Sequence, residues 1–153
     1  MSVQIGDKTP DFELADQTGN RVRLYDLIGK QNIVLFFYPK DDSPGCTREA
    51  CAFRDSYEEF QDFGAEVMGI SSDSVDSHKY FSDRYQLPFT LLSDYEGKIR
   101  KLYGVAKTMG FLPGRVTYII DKQGMVRYIF NSQLNFKGHI KKALNILKSL
   151  NNN

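Results

Sequence analysis

The strongest constraint on this chain is a change of hydrophobic period around residue 40. Asn32 to Tyr38 (Asn-Ile-Val-Leu-Phe-Phe-Tyr) is an unbroken run of β-forming residues. Such a run predicts a central strand buried on both faces. From Cys46 onward the period changes. Cys46, Ala50, Phe53, Tyr57 and Phe60 recur at alternating steps of four and three, which marks one face of a helix. Between the two patterns lies the loop Pro39-Lys40-Asp41-Asp42-Ser43-Pro44-Gly45. Here a strand ends, a loop turns and a helix begins.

Both cysteines of the protein, Cys46 and Cys51, fall in this stretch. Ser43 is placed to cap the helix by accepting a hydrogen bond from a free backbone amide. Pro44 suits the first helical position, where no amide partner is needed. Cys46 then lies in the first turn, where unpaired amides and the helix dipole favour a negative charge and so stabilise a thiolate. Gly45 leaves room for a group to approach the sulfur. Cys46 opens the core-facing stripe, whereas Cys51 falls beside it. A partly buried first cysteine and a more accessible second one are therefore expected. On an ideal helix this spacing separates the two Cα atoms by roughly 8–9 Å, and a disulfide rarely spans more than about 7 Å. A Cys46–Cys51 disulfide therefore requires the helix start to unwind. Spacing alone admits equally two unrelated free cysteines, one buried and one incidental.

The remaining elements follow from local pattern. Asp11 to Leu14 and the alternating Arg21-Val22-Arg23-Leu24 read as a hairpin around the turn Gln17-Thr18-Gly19-Asn20. Tyr25 to Ile28 reads as a helical turn. The helix after the loop is expected to run to Gly64, followed by a buried strand from Glu66 to Ser71. Strand, helix, strand implies parallel pairing through a right-handed crossover. Ser74 is expected to cap a helix reaching about Tyr85, with Tyr80, Phe81 and Tyr85 as its apolar positions and Pro88 as its stop. Phe89 to Leu92 reads as a short strand, and Ile99, Leu102 and Tyr103 as the apolar side of a short helix. Val105 to Gly114 reads as a loop in which Met109, Phe111 and Leu112 either line a pocket mouth or simply pack the loop. Val116 to Asp121 and Met125 to Phe130 flank a hairpin turn. Phe136 to about Leu150 closes the chain as a helix with Ile140, Leu144, Leu147 and Leu150 on its core side. The order fits an α/β, thioredoxin-like fold over residues 1–153 as one domain: a central mixed β-sheet flanked by helices, with an N-terminal β-hairpin extension.

Composition excludes several function classes. The 153 residues carry a net charge of +1, with basic and acidic residues mixed along the chain, so no nucleic-acid or membrane footprint is visible. No apolar run approaches the length of a membrane span. The N-terminus shows no basic region followed by an apolar one, and the cysteine pair suits a reducing compartment. A bacterial cytosol and a plastid both fit, and the Met1 start without a transit peptide makes a cytoplasmic location the expectation. A thioredoxin-type oxidoreductase would want C-x-x-C, which is absent. A zinc site would want more ligands than the cysteines, His78 and His139. Both histidines lie in polar helical stretches and are expected at the surface. Arg48, Arg54, Asp55, Glu58 and Glu59 are expected mainly as a solvated helix face.

The stretch Phe37-Tyr38-Pro39-Lys40-Asp41-Asp42-Ser43-Pro44-Gly45-Cys46-Thr47 closely resembles the active-site loop of peroxiredoxins. With Glu49-Ala50-Cys51-Ala52-Phe53-Arg54-Asp55 it resembles the peroxiredoxin Q, or bacterioferritin comigratory protein, subfamily. The likeness extends through Gly69-Ile70-Ser71, Leu87-Pro88-Phe89, Leu92-Ser93-Asp94 and Gly114-Arg115-Val116-Thr117-Tyr118-Ile119-Ile120-Asp121, nearly the whole chain. The resemblance implies a thiol peroxidase of antioxidant defence, with Cys46 as peroxidatic cysteine and Cys51 as resolving cysteine of an intramolecular disulfide cycle. It further implies that Pro39 shields the pocket, that the Ser43 hydroxyl orients the peroxide, that Arg115 supports the thiolate, and that Glu49 helps hold the arginine. It implies no organic cofactor and no metal, thioredoxin or a similar dithiol as reductant, and a monomer. The family usually has threonine where Ser43 stands. Serine keeps the hydroxyl but leaves its rotamer less fixed. A redox sensor using the same cysteines, or a one-cysteine mechanism with Cys51 as bystander, remain the alternatives.

Overall fold

The computed structural model describes residues 2–105, 115–131 and 135–151. Most of the loop expected between Val105 and Gly114, with Met109, Phe111 and Leu112, lies outside the described residues. The elements in chain order are β1 (Glu13–Ala15), β2 (Arg21–Arg23), a 3-10 turn (Leu24–Asp26), β3 (Asn32–Phe37), α1 (Pro44–Asp55), α2 (Tyr57–Asp62), β4 (Ala65–Ser71), α3 (Val75–Tyr85), β5 (Thr90–Ser93), α4 (Lys98–Tyr103), β6 (Val116–Ile120), β7 (Val126–Asn131) and α5 (Phe136–Asn151).

The strands form one seven-stranded mixed sheet in the order β2-β1-β5-β4-β3-β6-β7. β3 lies parallel to β4, and β4 to β5. β6 returns antiparallel to β3, and β7 pairs with it as a hairpin. The N-terminal hairpin extends the β5 edge through the antiparallel pairing of Ala15 with Ser93. The architecture is thioredoxin-like, as the element order implied.

β3 is buried at all six positions because both sheet faces are covered. Val34, Phe36 and Tyr38 point to one core, with Cys46, Ala50, Phe53, Phe60, Phe81, Ile140 and Leu147. Ile33, Leu35 and Phe37 point to the other, with Leu24, Tyr103 and Tyr118. Phe36 stacks on Phe53 with ring centroids 4.4 Å apart, which fixes α1 over the end of β3. Truncating a buried phenylalanine of this kind typically costs about 3–5 kcal/mol.

Several local expectations are corrected. The helix after the loop does not run unbroken to Gly64. It stops at Ser56, whose backbone leaves the helical region, and α2 restarts at Tyr57. Pro88 does not end α3. Gln86 does so earlier, in a left-handed conformation at φ 51°. The Ser74 cap is present, accepting the Ser77 amide at 3.1 Å. In α3, Tyr80 is 61% exposed while His78, Phe81 and Ser82 are buried. In α4, Leu102 is exposed while Arg100 and Tyr103 are buried. Among the described residues, no helix is long and apolar enough to cross a membrane.

Candidate active site

The site forms where β3, α1 and β6 converge. β3 delivers the chain into the loop from Tyr38 to Ser43. α1 begins at Pro44, in the N1 position, so Cys46 falls in its first turn. β6 runs antiparallel to β3 with Val116 opposite Phe37. That register sets Arg115, one residue earlier, beside the end of β3.

Arg115 and Cys46 therefore meet although 69 residues separate them. Arg115 Nη2 is 3.3 Å from Cys46 Sγ, and its Nη1 donates to Glu49 Oε1 at 2.8 Å. The guanidinium also lies over the Phe136 ring, 4.9 Å from its centroid. Cys46, Glu49 and Arg115 are all buried. Burial works against the Arg115 charge, but Glu49 and the Cys46 sulfur outweigh it and raise its pKa. Burial pushes the Glu49 carboxyl up to about 7, against the pull of Arg115. Glu49, expected among the substrate-binding residues, lies behind the guanidinium and reaches the site through it.

Gly45 has the function its size suggested. A Cβ there would stand 3.1 Å from Arg115 Nη2 and 3.0 Å from the Phe136 ring, so glycine clears the path of the guanidinium to the sulfur. Pro39 is half-buried at the entry of the loop. Ser43 departs from the capping expectation. It occupies the N-cap position without a side-chain cap bond. Its Oγ instead donates to the Lys40 carbonyl at 2.8 Å. That bond uses the hydroxyl proton and leaves the oxygen's lone pairs free to accept.

Cys51 lies on the same unbroken helix, half-buried, and both cysteines are free thiols. Burial raises the Cys51 thiol pKa, with Arg54 opposing and Asp55 adding to the effect. Arg54 is not purely solvated, since its Nη1 donates to the Tyr85 carbonyl at 2.8 Å and ties α1 to the end of α3.

Three residues near the site were not anticipated. Arg100 is buried, donates to the Tyr38 carbonyl at 2.8 Å and sits over the Phe37 ring. Burial lowers its pKa, and Asp94 and Cys46 oppose that. Neither histidine is at the surface: both are fully buried. His139 Nδ1 lies 2.7 Å from Thr117 Oγ1 and 3.6 Å from Glu49 Oε2. His78 packs behind the loop against Tyr38 and Asp41. The helical period held the signal for all three. Arg100 lies three positions before Tyr103, His78 three before Phe81, and His139 four before Ala143. Each is on the same helix side as a buried residue.

A cysteine in the first turn of a helix, facing a buried guanidinium, is built to stabilise a thiolate and to polarise a small electrophile. A model of the AhpC/TSA family matches residues 5–129. Peroxiredoxin Q of Oryza sativa subsp. japonica, a chloroplastic protein, is 53% identical over 149 residues, covering 97% of this chain and 68% of the relative.

The chain is a peroxiredoxin of the AhpC/TSA family.

Chloroplastic peroxiredoxin Q of Arabidopsis thaliana is 52% identical over 148 residues, covering 96% of this chain and 68% of the relative. Among solved structures, the peroxiredoxin is similar to peroxidoxin BcpB of Mycobacterium tuberculosis, with TM-score 0.89, 39% identity, and coverage of 96% of this chain and 97% of that one. It is also similar to peroxiredoxin Q of Xanthomonas campestris, with TM-score 0.87, 30% identity and coverage of 97% of each chain. The Q-type resemblance read from the loop is thereby shown, and the peroxiredoxin is a thiol peroxidase. The cytoplasmic expectation is corrected: these plant relatives, sharing about half of the sequence, are named chloroplastic.

Proposed function

We propose that this peroxiredoxin, acting as one domain over residues 1–153, reduces hydrogen peroxide and organic hydroperoxides with Cys46 as the attacking thiolate. The observation that carries the reading is Arg115 Nη2 at 3.3 Å from Cys46 Sγ inside a buried first helical turn. The thiolate attacks the terminal peroxide oxygen. The O–O bond breaks, Cys46 becomes a sulfenic acid, and the other oxygen leaves as water or an alcohol after taking a proton. A thiolate has no proton to give, so the leaving oxygen depends on donors. Arg115 and the Cys46 backbone amide supply that stabilisation, while the Ser43 oxygen, its own proton held by the Lys40 carbonyl, accepts the peroxide's hydrogen and orients it. Pro39 shields the pocket, and Glu49 positions Arg115.

Cys51 resolves the sulfenic acid. Its thiolate attacks the Cys46 sulfur, forming the disulfide and releasing water. Both residues sit on regular helix, where five positions separate Cα atoms by roughly 8–9 Å, so α1 must unwind at its start before the sulfurs meet. A dithiol such as thioredoxin then returns both cysteines to thiols by disulfide exchange. The working unit is a monomer, and the setting is the plastid named for the plant relatives. The chemistry uses no organic cofactor and no metal.

The test is hydrogen peroxide consumption coupled to thioredoxin, thioredoxin reductase and NADPH, on wild type, Cys46→Ser and Cys51→Ser. Sustained NADPH oxidation is expected in wild type only, with Cys51→Ser reducing one equivalent of peroxide and then stopping. Multiple turnovers by Cys51→Ser would sink the resolving role. Peroxide consumption surviving Cys46→Ser would sink the peroxidatic one.

A further inference from the structure

Behind the loop lies a buried polar cluster that the chemistry above does not use. Asp41 Oδ1 accepts the Tyr38 hydroxyl at 2.6 Å, and Asp41 Oδ2 accepts the Ser77 hydroxyl at 2.8 Å. His78 Nδ1 stands 2.7 Å from the same Oδ2, and His78 Nε2 stands 3.0 Å from the Leu92 carbonyl oxygen. The Asp41 backbone amide donates to Asp73 Oδ2 at 2.8 Å, and Ser71 Oγ donates to that oxygen at 2.6 Å. Asp41 is 5% exposed and His78 0%.

The proton positions follow from who can accept. A carbonyl oxygen only accepts, so His78 Nε2 carries a proton. Asp41 already accepts two hydroxyl protons, one on each carboxyl oxygen, which is the acceptor role of a carboxylate. The 2.7 Å contact to Nδ1 therefore closes with the proton on nitrogen. The titratable groups facing the ring are Asp41, Asp73 and Tyr38, the last with its hydroxyl 3.4 Å from Nδ1. Two carboxylates and one phenol supply no competing cation.

The cluster is coupled to the site through one peptide unit. The Lys40 carbonyl and the Asp41 amide share a plane. Its N–H end is fixed by Asp73, and its C=O end accepts the Ser43 hydroxyl at 2.8 Å. Whatever holds Asp41 thus orients the Ser43 oxygen.

We propose that His78 is a positioning residue of the peroxide-reducing site: as an imidazolium paired with buried Asp41, it fixes the Lys40–Asp41 peptide and through it the Ser43 hydroxyl. The inference rests on the peroxidase reading of Cys46 and Ser43. Losing the pair frees the peptide to rotate. Peroxide reduction then slows because the hydroxyl is misaimed, while Cys46 and Arg115 stay in place.

The test is a double-mutant cycle on the second-order rate constant for Cys46 oxidation by hydrogen peroxide, using wild type, His78→Gln, Ser43→Ala and the double variant. His78→Gln is expected to slow oxidation by about tenfold, short of the roughly hundredfold that a full 1 Å misplacement can cost. In the Ser43→Ala background the same change is expected to cost less than about twofold, since coupled residues are non-additive. Additive losses, as from a merely structural role, would overturn the proposal, and so would a wild-type rate in His78→Gln. Nitrogen NMR of the wild-type imidazole gives a readout that needs neither variant. Both His78 ring nitrogens protonated is expected, and one unprotonated nitrogen would overturn the ion pair. If His78→Gln does not fold, Ser77→Ala, which removes a single donor from Asp41, takes its place in the cycle with the same non-additivity expected. Wild-type Cys46 that peroxide does not oxidise would overturn the peroxidase reading and this one together, whereas a reactive Cys46 with an additive cycle overturns this one alone.

Discussion

Arg115 reaches the Cys46 sulfur at 3.3 Å with one arm of its guanidinium while the other arm donates to Glu49 at 2.8 Å. One planar group thereby ties the Cys46 sulfur to a buried carboxylate. Lysine can place a single ammonium near either partner but cannot span both in fixed geometry. Arg115→Lys is therefore expected to retain the fold and to slow peroxide reduction by about a hundredfold, the scale on which loss of one preorganised donor acts. Stopped-flow oxidation of Cys46 decides the matter. A lysine variant as fast as wild type would show that charge alone suffices.

Gly45 controls the same contact from the helix side. Its backbone is helical, so alanine is allowed there and gains up to about 1 kcal/mol of helix propensity. The added methyl would nonetheless crowd Arg115 Nη2 at 3.1 Å and the Phe136 ring at 3.0 Å. Both are outer ends of side chains, so the site rather than the fold gives way. Gly45→Ala is expected to keep or raise the melting temperature and to slow peroxide reduction by about ten- to a hundredfold. Thermal unfolding and peroxide kinetics on one preparation check both halves, and parallel loss of stability and rate would contradict this account.

Ser43 allows a similar separation. Its hydroxyl donates to the Lys40 carbonyl and does not cap α1. Ser43→Ala therefore escapes the usual capping loss and is expected to cost about 0.5 kcal/mol, the low end for one hydrogen bond. Peroxide reduction is expected to fall by at least tenfold, because an oriented acceptor that positions the peroxide is removed. Ser43→Thr keeps the hydroxyl, restricts its rotamer and is expected to raise the rate. A destabilisation of Ser43→Ala near 2 kcal/mol, as for a lost N-cap, would restore the capping role.

How much of this was legible in the sequence depends on whether a residue's partner is local. The strand–loop–helix unit declares itself within thirty residues, because the period changes there and proline and glycine punctuate the turn. Cys46 and Phe53 fell on the buried stripe as expected. Arg115 was named through family resemblance alone, since its closeness to Cys46 is set by the register of β6 on β3, which no local pattern encodes. The buried His78 and His139 were misread, and Arg100 was missed, for a different reason. Polarity was given more weight than helical phase, and each has its partners on other elements: Asp41 for His78, the Tyr38 carbonyl for Arg100, Thr117 for His139. Ser43 was read as a cap because its position is right. The competing acceptor, Lys40, depends on a turn in which Asp42 takes a φ of 60°.

The buried Glu49 gives the protein a pH signature of definite sign. Burial raises its pKa from the ordinary 4.5 to about 7, with Arg115 opposing. The unfolded chain releases this proton near the ordinary value, whereas the folded chain keeps it until about 7. Between those limits the folded state binds more protons, so stability falls as pH rises. Below the window both states are protonated and above it both are ionised, so this carboxyl adds no further slope. Glu49→Gln cannot titrate and loses that slope while keeping a neutral amide beside Arg115. Urea unfolding of wild type and Glu49→Gln at several pH values across the window isolates the effect, since other carboxyls are common to both. Wild type is expected to lose stability relative to the variant as pH rises from 4.5 to about 7. A difference that stays flat would mean that Arg115 keeps Glu49 ionised throughout, and the ion pair rather than burial would then set the charge behind Cys46.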